Sequence, residues 1–120
     1  MQEQLEKLAQ MPADYYFPGS LPANPNALNL ARKLVEEFSH LGPCPITCEP
    51  EDGAVSFEWG YYGIFVTVEV NLDIEYTQFD NNHRGQCEFT KIFKYPDGLD
   101  ELTQLIDKRV PKNSTVVKIN

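Results

Sequence analysis

The middle of the chain alternates apolar and polar residues with a period of two, the pattern of strands that bury one face. In "AVSFEW" the apolar residues Val55, Phe57 and Trp59 share one side, and "IFVTVEV" repeats the pattern from Ile64 to Val70. Short turns separate these segments, including Glu51-Asp52-Gly53 and Asn71-Leu72-Asp73. The pattern predicts antiparallel strands over "ITCE", "AVSFEW", "IFVTVEV", "IEYTQF" and "QCEFTKIFKY".

Three segments outside this region have the spacing of amphipathic helices. They are "QEQLEKLAQM", a segment from Asn24 or Asn26 to Gly42-Pro43, and "LDELTQLIDKRV". A proline-rich arm, residues 12–26, separates the first two, and residues 111–120 could add an edge strand or remain loose. We therefore predict one α+β domain over 1–120, an antiparallel meander sheet of four or five strands with helices packed on one face.

Charge is distributed unevenly along the chain, whose net charge is −8. Residues 49–88 hold nine of the 18 acidic residues but only one base, Arg84, and so account for the whole −8. The remaining residues hold nine acids and nine bases, which cancel. This balance argues against direct binding to nucleic acid or to an anionic membrane, since both depend on Lys and Arg.

The outward positions of the predicted strands combine carboxylates with large aromatic side chains. Like charges on one sheet face repel each other unless a cationic partner binds them, and exposed aromatics supply contact area. Tyrosines in the arm and at a hairpin tip add further aromatic side chains in loops. We therefore predict a partner-binding surface formed by Glu58, Phe65, Glu69, Glu75, Phe79, Glu88, Tyr15, Tyr16, Tyr61 and Tyr62.

The three cysteines allow a second interpretation. Cys44, Cys48, His83 and Cys87 are of the types that bind zinc, and a structural zinc module is one alternative. If the cysteines lie in strands, however, each pair is too far apart for one ion, and small buried thiols are then expected. An odd cysteine count and a first segment without a secretory apolar run favour free thiols in the cytoplasm.

The segment from the second helix to "VEV" resembles a group of short, uncharacterised proteins encoded in bacteria and mobile elements. The matching features are a proline-containing entry strand, an acid-glycine turn, "EW", and an alternating strand that ends in "VEV". The residues that carry the resemblance are Pro45, Pro50, Asp52, Gly53, Glu58, Trp59, Gly63, Glu69 and Val70. The resemblance implies no activity and no catalytic residue.

The sequence contains no GxSxG, P-loop, GxGxxG or HExxH pattern, and we expect no enzyme and no cofactor. The function we predict is a non-catalytic acidic protein that docks on a basic partner protein. It would act as an inhibitor or antitoxin-like neutraliser of a protein that handles nucleic acid. Two alternatives are a small enzyme or ligand-binding domain with a pocket lined by Trp59, Tyr62 and Tyr76, and a homo-oligomer formed through an exposed β-edge.

Overall fold

A computed structural model of the chain describes residues 1–80 and 86–112. Within these ranges the elements lie in the order of two helices, five strands and a third helix. A short 3-10 turn, Gly60–Tyr62, connects β2 and β3. The elements are α1 (Gln2–Gln10), α2 (Pro25–Glu37), β1 (Ile46–Cys48), β2 (Val55–Trp59), β3 (Ile64–Val68), β4 (Ile74–Phe79), β5 (Cys87–Phe93) and α3 (Leu99–Asp107).

The five strands form one antiparallel meander sheet in the order β1-β2-β3-β4-β5. Each hairpin keeps the register that alternation requires, for example Phe57 opposite Val66 and Val66 opposite Tyr76. One irregularity occurs between Gln78 and Phe79, where the pairing with β5 shifts by one residue. The predicted α+β fold, with helices packed on a meander sheet, is confirmed.

All three helices contribute apolar side chains to the same core. Leu5 of α1, Leu34 of α2 and Ile106 of α3 are fully buried in a cluster with the inward residues of the strands. Its aromatic centre is formed by Phe38, Phe57 and Trp59, in which the ring of Phe38 lies 5.6 Å from each of the other two. The indole N–H of Trp59 donates to a backbone carbonyl 2.9 Å away, so its one polar group is satisfied.

The helix α2 begins directly after Asn24, one of the two predicted starting points. The Asn24 side chain accepts from the backbone N–H groups of Asn26 and Ala27, and Pro25 occupies the first helical position.

The helices are shorter than the apolar spacing predicts, since α2 ends at Glu37 and α3 at Asp107. Val70 was predicted to face inward, but β3 ends at Val68, and Val70 lies exposed in the following turn.

The arm before α2 crosses the β1–β2 turn at very short range. The backbone N–H of Leu21 donates to Pro50, and that of Asn24 donates to Gly53. Gly53 has a φ of +83°, and a Cβ there would lie 2.6 Å from the Pro22 carbonyl oxygen. Glycine is therefore required at this position both by conformation and by space.

We predict that Gly53→Ala lowers the free energy of unfolding by roughly 2–4 kcal/mol, because the methyl group adds a steric clash to the cost of positive φ. Gly19→Ala is a matched control: its φ is +91°, but a Cβ there meets nothing within 4 Å. The control should lose only about 1 kcal/mol in urea denaturation. Equal losses in the two variants would show that the crossing of arm and turn contributes no constraint.

Candidate functional site

The face of the sheet opposite the helices, here called the open face, carries the polar partners of the alternating pattern. Its residues hydrogen-bond to one another across the strands, as in the 2.8 Å contact of Ser56 with Thr67 and the 2.7 Å contact of Thr47 with Glu58. The open face comprises Thr47, Ser56, Glu58, Phe65, Thr67, Glu69, Glu75, Thr77, Phe79, Cys87, Thr90 and Ile92.

One end of the open face forms a shallow concavity of about 560 Å³ that we call the acidic groove. Glu75 lies opposite Thr67, so Glu69, two residues after Thr67 and just past the end of β3, is its diagonal neighbour at about 7–8 Å. Apolar side chains from the arm, the β3–β4 turn and β5 are also in the wall. The groove is lined by Leu21, Glu51, Asp52, Glu69, Val70, Asn71, Asp73, Glu75 and Ile92.

The carboxylates of the groove act on one another electrostatically. Partial burial raises the pKa of Glu69, and the negative charges of Glu75, Asp52, Glu49 and Asp73 raise it further. Asp73 differs from Glu69, because hydrogen bonding to Lys94 holds its pKa below the ordinary value. Glu69 therefore lies in an uncompensated negative field, whereas Asp73 has its own cation.

Several acidic residues elsewhere in the described ranges form ion pairs. Glu6 contacts Arg32 on the helices, Asp107 contacts His40, and Glu101 contacts Lys91. Within residues 1–80 and 86–112, no ion pair reaches Glu58, Glu69 or Glu75. The surplus negative charge on these three carboxylates is therefore presented by the open face.

The opposite end of the open face is aromatic. Beside the β2–β3 connection lies a concavity of about 430 Å³ that we call the aromatic cleft. Tyr61 at its rim is 88% exposed, and the ring of Phe65 packs 5.4 Å from that of Phe79. The cleft is lined by Pro43, Cys44, Pro45, Glu58, Trp59, Gly60, Tyr61, Tyr62 and Phe65.

Glu88 was expected on the open face and lies elsewhere. Its carboxylate accepts from Gln78 at 3.0 Å and from Arg109 at 2.6 Å. Gln78 in turn accepts from the buried phenol of Tyr76, which marks this as the helix side of the sheet. The register shift between Gln78 and Phe79 is the reason, since Phe79 pairs with Cys87 and Gln78 with Phe89, which leaves Glu88 as the extra residue of a bulge.

The aromatic residues of the arm form a separate exposed group. Tyr15, Tyr16 and Phe17 are each about half exposed or more, and the rings of the two tyrosines meet edge to face at 5.3 Å. The loop that presents them is held by Ser20, whose buried hydroxyl accepts from the Tyr16 N–H. Burial and the nearby Cys48 raise the pKa of Tyr16.

The strand order separates the candidate zinc ligands. Cys48 belongs to β1 and Cys87 to β5, at opposite edges of the sheet, so four strand spacings, about 19 Å, lie between them. These two cysteines cannot bind one ion, which argues against the alternative of a single zinc site with all four ligands. His83 lies outside the described residues. Cys44 is buried beside Met1, and burial raises the pKa of its thiol to about 12.

The pocket predicted between helices and sheet is filled by the core. Trp59 and Tyr76 are buried in the cluster, and burial raises the pKa of Tyr76 to about 12. Tyr62 lines the aromatic cleft on the surface instead. Among the described residues, no group of three or more histidine, cysteine or acidic side chains could hold a metal ion.

Comparison of the chain with protein-family models, with curated proteins and with solved structures found no match. In the ranges that the structure covers, no helix is long and apolar enough to cross a membrane. What can be inferred about function therefore depends on the geometry and charge of the open face.

Only Glu69 and Glu75 of the nine residues that line the acidic groove belong to the predicted surface, and its three apolar residues are among those that the prediction missed. Leu21 reaches the groove because the arm is hydrogen-bonded to the β1–β2 turn, which no local pattern indicates. Val70 was assigned to the core, and it reaches the groove because the strand ends two residues earlier. The alternation of β5 could have identified Ile92, which lies opposite Glu75.

We expect Glu75→Gln to lower the pKa of Glu69, because it removes the largest repulsive charge acting on that group. Carboxyl carbon shifts followed by NMR during a pH titration would measure the change. Glu36→Gln on the exposed surface of α2 is the control and should leave the pKa of Glu69 unchanged. If the pKa of Glu69 is the same in wild type and in both variants, the electrostatic coupling in the groove is contradicted.

The raised pKa of Glu69 also has a consequence for stability. A carboxyl group with a raised pKa in the folded state destabilises the fold as pH rises through its titration range. Glu69→Gln should therefore increase the free energy of unfolding at pH 7, by less than about 1 kcal/mol because solvent screens the group. The gain should vanish below the ordinary value of 4.5, where both states are protonated. Urea denaturation at both pH values tests this sign.

Proposed function

We propose that this chain is a non-catalytic, acidic binding protein that docks its open face on a basic surface of a partner protein. The observation that carries the proposal is the diagonal pair Glu69 and Glu75, which has no cation among the described residues. Two neighbouring carboxylates without a cation repel each other, which costs the fold stability. A cationic partner would recover that cost on binding.

The apolar residues of the acidic groove support a protein as the partner. Leu21, Val70 and Ile92 are exposed and lie among the carboxylates. Lysine and arginine side chains have aliphatic stems that pack on apolar surface while their charged ends contact carboxylates. A small inorganic cation would gain nothing from these three apolar residues. A basic protein surface would gain from contacts with both the apolar residues and the carboxylates.

Proteins that handle nucleic acid are the partner class we propose, because their phosphate-binding surfaces are rich in Lys and Arg. A chain that covers such a surface with carboxylates would compete with phosphate and act as an inhibitor or antitoxin-like neutraliser. The three cysteines are free thiols, which suits the reducing conditions of the cytoplasm where we place this activity.

The test is a comparison of two doubly charge-reversed variants as affinity baits in host extract. Glu69→Lys with Glu75→Lys changes the acidic groove, and Glu36→Lys with Glu37→Lys makes the same change in net charge on exposed positions of α2. The partner should be retained by wild type and by the α2 variant, and lost from the groove variant. With the purified partner, we expect the groove variant to bind at least about tenfold more weakly.

The inhibitory part of the proposal has its own measurement. The purified partner should bind nucleic acid, and this chain should displace that nucleic acid in competition. The association rate should fall roughly tenfold between 50 mM and 500 mM salt, because screening weakens the long-range attraction. Equal retention by both variants, or association that is insensitive to salt, would contradict docking through the acidic groove.

A further inference from the structure

We propose that the aromatic cleft is a binding site for an arginine side chain of the partner, and that it discriminates arginine from lysine. This inference rests on the proposed function and adds a second, chemically distinct contact to it. The acidic groove can accept any cation, whereas the walls of the aromatic cleft are built from rings and prolines around a single carboxylate.

The carboxylate of the cleft is held in place. Glu58 Oε2 accepts a hydrogen bond of 2.7 Å from the Thr47 hydroxyl, which fixes the orientation of the side chain across β1 and β2. Phe65 is the residue directly opposite Glu58 in the register, so a charged group and an aromatic ring lie next to each other on the open face. A ligand that uses both must carry positive charge and a surface that packs on a ring.

The rings around Glu58 are arranged as a wall and a rim. Tyr61 and Tyr62 meet edge to face at 5.1 Å, and Tyr61 extends almost fully into solvent. The ring of Phe65 lies beneath the turn, since a Cβ at Gly60 would be 3.5 Å from its Cε1 atom. The Trp59 N–H donates to the Gly42 carbonyl and is not available to a ligand.

These features favour a guanidinium group. A planar, weakly hydrated guanidinium stacks on aromatic faces and donates two parallel hydrogen bonds to one carboxylate, whereas an ammonium is a compact and strongly hydrated charge. An anionic ligand is disfavoured by Glu58. Arg109 lies near the cleft, where it donates to the backbone carbonyls of Tyr62 and Phe79. Its charge is neutralised by Glu88 on the helix side of the sheet.

The experiment uses two blocked tripeptides, acetyl-Gly-Arg-Gly-amide and its lysine counterpart, titrated into the whole protein at low salt. Amide shifts of Glu58, Tyr61 and Phe65 report on the cleft, and the indole N–H of Trp59, the single tryptophan of the chain, reports on its wall. We expect saturable shifts at these positions, with arginine bound at least about threefold more tightly than lysine.

Two conservative variants separate the carboxylate from the ring. Glu58→Gln keeps an acceptor for Thr47 but removes the charge, and should weaken arginine binding by about threefold to tenfold. Phe65→Leu keeps an apolar side chain but removes the π face, and should abolish the preference for arginine. Glu75→Gln in the acidic groove is the matched control and should leave binding at the cleft unchanged.

The outcomes distinguish this inference from the proposed function. Shifts confined to the acidic groove, or equal affinity for the two tripeptides at the cleft, would overturn the arginine site while leaving the docking proposal intact. Absence of any shift with either peptide would also overturn it. The docking proposal itself fails if the captured partner binds the groove variant as well as wild type, or if association is insensitive to salt. Glu58 and Phe65 are unchanged in both measurements.

Discussion

The one-sided cover of the sheet is the constraint on which the rest of the molecule depends. Three helices supply enough apolar surface for one face of five strands, so every second side chain of β2, β3 and β4 points away from the core. Register transmits this division across the sheet, because a slip of one residue would exchange the two faces. The same strand pairing therefore buries Phe57 in the core and places Glu75 on the open face.

The fold could be predicted because its local signals agree with its packing. The period of two identified the strands, and Asn24-Pro25 identified the start of α2, since both patterns reflect contacts within a few residues. The candidate site could be predicted only in part. Glu69 and Glu75 follow from alternation, but Glu88 does not, because a bulge changes the face without any glycine or proline to indicate it. Leu21 joins the groove through a tertiary contact that no local pattern contains.

The distribution of ion pairs gives the molecule two electrostatic sides. Arg32, Lys91 and Arg109 each have a carboxylate partner on the helices or β5, whereas Glu58, Glu69 and Glu75 on the open face have none among the described residues. On the open face these three carboxylates combine with aromatic and aliphatic side chains. Such a combination gives long-range attraction and short-range packing from the same few strands, which together determine both the rate and the specificity of association.

The two edge strands of the sheet, β1 and β5, differ in whether their outer backbone groups have partners. This difference limits how copies of the chain can assemble. At β1 the side-chain amide of Gln4 donates to the Cys44 carbonyl and accepts from the Ile46 N–H, so it takes the place of a neighbouring strand. Among the described residues, nothing pairs with the far edge of β5. A sheet closed at one end can be extended only once. Strand addition between two copies would therefore stop at a closed pair and could not propagate into a fibre.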